Sequence, residues 1–261
     1  MSAPPVLWHL KASHYNEKAR WALDFKGVAH ERRALVAGLH PRKARQLTGE
    51  PTTPVLELDG ETIGDSTRII AALEDRHPDP PLYPADADER RRALELEDVF
   101  DEELGPYCRR LVFHHLLPDR ELMIGAFMPD FGPVRRNMMR AAFGAVRPRL
   151  RKEFDIDDDT VEQAFAKLRE TGERFRAEVG PSGYLVGDRF TIADLTLAAL
   201  LAPPVAPEQF PYPQPHRDHP RLAPVRDVLA EYGLVDWTRE MYARHRGTSA
   251  ELRSAAARWA P

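Results

Sequence analysis

Disulfide bonds and membrane spans are the first features that this chain of 261 residues lacks. Cys108 is its single cysteine, so no disulfide can form within the chain, and we expect a reducing, cytoplasmic location. No uninterrupted apolar run is long enough to cross a bilayer, and the first residues lack the basic and apolar regions of a secretion signal. The net charge of −4 provides no excess of basic residues, so we expect neither a nucleic acid nor a membrane as a partner.

Clustered metal ligands are equally scarce. The adjacent pair His114–His115 is the most suggestive group, but neighbouring residues of a helix point about 100° apart and cannot easily share one ion. We therefore expect no metal. The composition, 43% hydrophobic and 30% charged, is that of a globular protein large enough for one or two domains. The abundance of arginine, alanine and proline is typical of a GC-rich bacterial source.

A polar turn, Ser13-His14-Tyr15-Asn16, follows a short apolar run and precedes a segment with helical spacing that starts near Glu17. A strand that passes through such a turn into a helix directs backbone N–H groups, and the positive end of the helix dipole, at one point. A thiolate held there is stabilised, which lowers the pKa of the thiol below its free value of about 8.5. The pattern predicts a site for a thiol, although the chain's own cysteine lies elsewhere.

A second cluster of signals follows between residues 53 and 74. Residues 53–58 are typical of a strand entered through proline, Asp59-Gly60 predicts a tight hairpin, and residues 61–63 form the returning strand. Asp65 or Ser66 is the expected N-cap of the helix that follows. With a further strand around residues 31–36, these elements predict a compact mixed sheet with helices packed against it.

Beyond the proline-rich boundary at residues 77–84, the chain has helical spacing and little strand signal. We predict a long helix through residues 94–111, another over 162–179, an extended crossing over 203–220 and a last helix near 222–232. Thr191 and Asp194 have the spacing of a capping box at the entry to an apolar helix. The domain boundaries expected from these patterns are 1–84 and 88–261.

Taken together, these residues resemble the glutathione transferases. The resemblance implies an α/β thioredoxin-like amino-terminal domain followed by an all-α helical bundle, with glutathione, or another low-molecular-weight thiol, as co-substrate. It implies that Ser13 is the catalytic residue and that Thr53–Pro54 forms a cis-proline loop against the cysteinyl part of glutathione. Asp65–Ser66 would receive the γ-glutamyl end, and His40 would reach the glycyl carboxylate.

The same resemblance places the acceptor substrate between the thiol turn and the first helices of the second domain. The candidate lining residues are aromatic or flexible apolar side chains: Tyr15, Tyr107, Phe127 and Met128. Packing in the core is the alternative role for each of them. The implied reaction is attack of a glutathione thiolate on a small hydrophobic electrophile, as in detoxification, by a homodimer.

Departures from the family leave other interpretations open. The turn lacks both cysteines of the related glutaredoxin motif Cys-Pro-Tyr-Cys, which excludes a dithiol redox cycle there. Ser13 could instead cap the helix, with Tyr15 or a backbone group at the sulfur, and His14 is expected to be exposed. The chain could also use another thiol such as mycothiol, isomerise or dehalogenate its substrate, or be a non-catalytic binding or scaffold protein.

Overall fold

The computed structural model describes residues 3–127 and 132–252. Its first part is a four-stranded sheet with helices, in the order β1 (Val6–His9), α1 (His14–Phe25), β2 (Glu31–Ala34), α2 (His40–Thr48), β3 (Val55–Leu58), β4 (Glu61–Gly64) and α3 (Ser66–Arg76). The strand order is β2-β1-β3-β4, with β1 parallel to β2 and antiparallel to β3, and β3 antiparallel to β4. This arrangement confirms the predicted α/β thioredoxin-like domain.

Local sequence signals explain most of this domain. The central strands β1 and β3 are the most apolar, and Leu7, Val55 and Leu56 have no exposed surface. The β3–β4 hairpin closes through Asp59 and Gly60, whose φ angles of 50° and 85° are those that such a two-residue turn requires.

The second part is helical: α4 (Ala87–Val99), α5 (Gly105–Leu116), α6 (Arg120–Phe127), α7 (Pro133–Glu153), α8 (Asp158–Glu178), α9 (Ile192–Val205), α10 (Ala223–Glu231) and α11 (Leu234–His245). Helix α9 is buried on nearly every side and packs against α1, α4, α5 and α11, so it joins the two parts of the molecule. None of the helices within the described ranges has the length and apolar character needed to cross a bilayer.

Asp194 fixes the start of α9, as the capping-box spacing predicts. Its Oδ2 accepts hydrogen bonds from the Thr191 N–H and hydroxyl, each at 2.9 Å, and its Oδ1 accepts from the Leu185 N–H at 2.9 Å. The carboxylate therefore satisfies donors that would otherwise be buried without partners.

The long helix predicted through residues 94–111 is interrupted by a π-helical segment, Phe100–Leu104, between α4 and α5. Pro106 explains the interruption, because it has no N–H to offer to a carbonyl on the preceding turn. The Gly105 N–H bonds to the Phe100 carbonyl, one residue further back than in an α-helix. This shift leaves the Asp101 carbonyl without a partner from its own helix.

Two predictions about the last third of the chain were wrong. Pro203 and Pro204 lie in the last turn of α9 rather than in an extended crossing. The carbonyl of Leu200, four residues before Pro204, accepts instead from the Cys108 thiol at 3.3 Å, which makes the helical proline tolerable. The helix near 222–232 is not the last one either, because Gly233, with φ 80°, leads directly into α11.

Candidate functional site

Ser13 caps the amino-terminal end of α1 with extended backbone angles, φ −82° and ψ 130°. Its Oγ accepts hydrogen bonds from Asn16, from the side-chain Nδ2 at 2.7 Å and from the backbone N–H at 3.4 Å. Among the described residues, none accepts a hydrogen bond from the Ser13 hydroxyl. The side chain is half-buried, so this proton is available to a ligand at the start of the helix.

Asn16 connects the Ser13 turn to the Thr53–Pro54 loop. Its Nδ2 also lies 3.3 Å from the Thr53 carbonyl and 3.2 Å from Thr53 Oγ1, while its Oδ1 accepts from the Leu10 N–H at 3.1 Å. The Thr53–Pro54 bond is cis, as the resemblance implies. The structure thus brings Ser13 and Thr53–Pro54 together through a buried amide that the sequence argument treated only as a departure from the family.

Asp65 lies at the start of α3 in the left-handed region, with φ 75°. Its exposed carboxylate caps the helix by accepting from the Arg68 N–H at 3.1 Å, and Ser66 next to it is 2% exposed. A non-glycine residue held at such an angle carries backbone strain of order 1–3 kcal/mol, a feature that concentrates at functional sites. The N–H groups at the start of α3 suit a negatively charged ligand group, and the Asp65 carboxylate beside them suits a positively charged one, so the site can bind an anionic or a zwitterionic group.

A buried ionic cluster lies beside this helix start and was missed by the sequence argument. The Lys18 ammonium, which has no exposed surface, contacts Glu97 Oε1 at 2.7 Å, Asp101 Oδ2 at 2.5 Å and Thr67 Oγ1 at 3.0 Å. Burial raises the pKa of Glu97. The second carboxylate oxygens, Glu97 Oε2 and Asp101 Oδ1, are buried without a partner in the described part of the chain.

Tyr15 ties the polar turn to the helical part. Its hydroxyl donates to the otherwise unpaired Asp101 carbonyl at 2.7 Å, and its ring passes over Gly105, where a Cβ would lie only 2.1 Å from Tyr15 Oη. Burial raises the pKa of Tyr15 far above its ordinary value, so the hydroxyl remains a donor at neutral pH. His14 is 3% exposed with Nε2 2.9 Å from the Gly105 carbonyl, so the expectation of an exposed His14 was wrong.

Arg20 supports the polar turn from behind. Its guanidinium is fully buried and donates to the carbonyls of Leu10 at 3.0 Å, Lys11 at 3.2 Å and Ser13 at 3.3 Å. On its other side it lies 5.1 Å from the ring centre of Tyr212, which belongs to the proline-rich segment after α9. A single arginine in an amphipathic helix gives no sequence signal for such a role.

The remaining candidate residues are distributed around this centre. Phe127 lines a mostly apolar cavity of about 30 Å³ next to Lys11 and Ala12, together with residues of α5, α6 and the proline-rich segment. Tyr107 is half-buried on α5 under the Arg110 guanidinium, 5.2 Å from its ring centre. Met128 lies outside the described residues.

His40 begins α2 and is half-buried, and its Nδ1 is buried without a partner in the described structure. Burial lowers its pKa, so the ring is mostly neutral near pH 7. A neutral imidazole can donate one hydrogen bond to a carboxylate but contributes no charge to binding it.

Comparisons with known proteins identify the family whose domains this chain contains. Residues 7–81 match the family model described as glutathione S-transferase, N-terminal domain, and residues 158–223 match glutathione S-transferase, C-terminal domain. A probable maleylacetoacetate isomerase of Caenorhabditis elegans is 26% identical over 232 residues, covering 87% of this chain and 92% of that protein. Maleylpyruvate isomerase of a Ralstonia species is 32% identical over 112 residues, which cover 42% of this chain and 51% of that enzyme.

Among solved structures, a glutathione S-transferase from Rhodospirillum rubrum F11 has the same fold, with a TM-score of 0.59 and 21% identity. The alignment covers 94% of this chain and 89% of that one.

Proposed function

The chain belongs to the glutathione S-transferase superfamily, and from that premise we propose that it is a glutathione-dependent enzyme acting on small electrophilic substrates. In this proposal residues 1–84 bind the thiol and residues 88–261 supply the acceptor pocket. A homodimer in the cytoplasm belongs to the same proposal.

The observation that carries the proposal is the position of Ser13. Its hydroxyl proton has no acceptor among the described residues, and it lies at the start of α1, with Asn16 holding it against the cis Thr53–Pro54 loop. A hydroxyl in this place can donate to a sulfur anion, and a hydrogen bond to the charged form lowers the pKa of the thiol. Metal ligation is not needed for this chemistry.

The other candidate residues fit the rest of glutathione. The backbone at Thr53–Pro54 faces the cysteinyl part, and Asp65 at the start of α3 offers a carboxylate to the γ-glutamyl ammonium. Ser66 and the N–H groups of the same helix end suit the γ-glutamyl carboxylate. His40 remains the proposed donor to the glycyl carboxylate. Tyr15, Tyr107, Phe127 and Met128 remain the proposed acceptor side.

Two reactions begin in the same way. Bound glutathione supplies a thiolate that adds to an activated carbon; the adduct is either kept as a conjugate or released after rotation about the former double bond. The names of the two isomerase relatives favour cis–trans isomerisation of a maleyl-type double bond, and simple conjugation is the second candidate. Isomerisation regenerates the thiol, whereas conjugation consumes one glutathione per product.

The first test is calorimetric titration with glutathione. We expect binding in the millimolar range or tighter. Asp65→Asn should weaken it severalfold, because asparagine keeps the helix cap and tolerates the positive φ but removes the charge. Asp75→Asn, at the exposed far end of α3, is the matched control and should bind as the natural protein does. Heat equal to dilution would favour another thiol or a non-catalytic binding protein.

The second test measures the thiolate directly by its absorbance near 240 nm, and turnover by product analysis. Ser13→Ala should raise the pKa of bound glutathione and reduce turnover about 10- to 100-fold, since a hydrogen bond to a charged group is worth about 1.5–3 kcal/mol. Asp86→Ala removes a comparable helix cap on α4 and should leave both values unchanged. Unaltered turnover in Ser13→Ala would assign thiol activation to another group.

A further inference from the structure

A buried row of alternating charges leads from the carboxyl-terminal segment to the polar turn. Arg246, which follows α11, is 2% exposed; its Nε donates to Glu17 Oε1 at 2.6 Å and its Nη1 to Asp24 Oδ2 at 2.7 Å. Glu17 Oε2 in turn accepts from Arg20 Nε at 2.8 Å. All four side chains are excluded from solvent.

At one end of this row, Arg20 contacts the polar turn. Arg20 reaches the turn carbonyls with Nη1 and Nη2, while Nε is engaged by Glu17. A planar guanidinium bound on both edges has little freedom to rotate. Its direction therefore determines where the carbonyls of residues 10, 11 and 13 lie.

The other end is held by the segment that follows Arg246. Asp24 Oδ1 accepts from the Ala250 N–H at 2.8 Å and from Ser249 Oγ at 3.2 Å. The backbone of the same segment pairs with His30, through the Leu252 N–H at 2.7 Å and the Ala250 carbonyl at 3.3 Å. Arg32 of β2 also donates to Asp24 Oδ2 at 2.5 Å, so β2 and residues 249–252 together fix the carboxylate that orients Arg246.

Electrostatics explain why the row needs Arg246. Burial opposes its charge, but Glu17 and Asp24 outweigh that effect, so the pKa of Arg246 lies above its ordinary value. If Arg246 is removed, Glu17 Oε1 becomes a buried carboxylate oxygen with no cation bonded to it. Arg20, which already bonds to Glu17 Oε2, is then the cation that can move toward the unpaired oxygen. A shift of Arg20 toward Glu17 lengthens its hydrogen bonds to the turn.

We propose that Arg246 is a positioning residue for the thiol site, which acts through Glu17 and Arg20 to fix the backbone of residues 10–13 and the direction of the Ser13 hydroxyl. Residues 246–252 thereby become part of the active-site support. The catalytic consequence rests on the proposed function; the effect on the turn does not.

The test of the turn uses hydrogen–deuterium exchange of the full chain without any ligand. In Arg246→Met, amides of residues 10–16 should exchange about tenfold faster or more, while the α9 amides keep their protection. Arg244→Met is the matched control, because Arg244, in the last turn of α11, is solvent-exposed, pairs with Glu240, lies over the Tyr184 ring and is not part of the buried row. It should exchange like the natural protein.

Arg246→Lys distinguishes the effect of the guanidinium geometry on the turn from the effect of losing a buried positive charge. It also provides a test if Arg246→Met does not fold. A lysine restores the buried charge, but its single ammonium does not reproduce the fork that joins Glu17 and Asp24. We expect faster turn exchange of about threefold or more. Natural-like exchange at the turn in folded Arg246→Lys would overturn the proposal.

Activity then tests the link to catalysis. In the lysine variant the acid limb of the kcat/KM profile should move to higher pH and kcat should fall more than KM changes, whereas Arg244→Met should leave both alone. A loosened turn with an unchanged profile would refute the catalytic consequence. If the turn loosens but the natural protein has no glutathione-dependent turnover, the proposed function fails and the positioning of the turn still stands.

Discussion

Gly105→Ala is expected to destabilise the protein, although alanine is the better helix former. A Cβ at this position would lie 2.1 Å from Tyr15 Oη and 2.6 Å from Tyr15 Cζ. The tyrosine cannot simply move away, because its hydroxyl bonds to the Asp101 carbonyl at 2.7 Å and its ring packs against His14 with centres 4.5 Å apart. The substitution therefore forces apart the contact between the polar turn and α5.

The size of the effect follows from three contributions. Overpacking of a filled site costs about 1–3 kcal/mol. Loss of the Tyr15 hydrogen bond costs about 0.5–1.5 kcal/mol. The helix preference of alanine over glycine offsets about 1 kcal/mol of this. We expect a net loss of about 1–3 kcal/mol in the free energy of unfolding, within the usual range for a substitution with a named steric cause.

Urea denaturation of matched variants measures this loss. Gly144→Ala is the control, because Gly144 lies on the exposed face of α7 and its Cβ would meet nothing within 4 Å, so stability should hold or rise. In a Tyr15→Ala background, Gly105→Ala should become neutral or stabilising, since the clash is gone. Equal destabilisation by Gly105→Ala in both backgrounds would refute the steric reasoning.

Two further predictions concern buried titratable groups. Burial lowers the pKa of His14 to about 4, so below a pH of about 6.5 the unfolded chain binds a proton at this histidine that the folded chain does not. The free energy of unfolding should therefore be highest above that pH and fall by up to about 3 kcal/mol as the pH drops toward 4. Urea denaturation of His14→Gln should show a shallower fall over the same pH range. Burial raises the pKa of Cys108 to about 12, so a disulfide reagent for thiols at pH 8 should leave the native protein unmodified and react with one thiol per chain in denaturant. Prompt reaction of the native protein would contradict the buried position of Cys108.

The amino-terminal domain could be predicted well because its signals are local. Proline and glycine mark the turns, Asp59-Gly60 fixes a hairpin, and Asp65 and Ser13 have the residue types of helix caps. The capping box at Thr191 is likewise read from residues three apart. In each case the group that satisfies the backbone lies within a few positions in sequence.

The features that could not be predicted depend on distant residues. His14 is buried because Gly105 approaches it, and Arg246 reaches Glu17 across 229 positions in sequence. Pro204 inside α9 is tolerated because Cys108, from another helix, supplies the missing donor. Helix α11 is different: its buried residues Leu234, Trp237 and Met241 have helical spacing, so the signal was present in the sequence and was overlooked.

In the π-helical segment Phe100–Leu104, the number of residues matters more than their identity, because it sets how α5 is oriented against the amino-terminal part of the molecule. Each residue of an α-helix advances the chain by about 1.5 Å and turns it by about 100°. Removing one residue from Phe100–Leu104 would let the helix close regularly, swing all of α5 around its axis and carry Gly105 out of register with Tyr15. Insertions and deletions that surface loops absorb without effect are therefore expected to misalign α5 and the polar turn when they fall in these five positions.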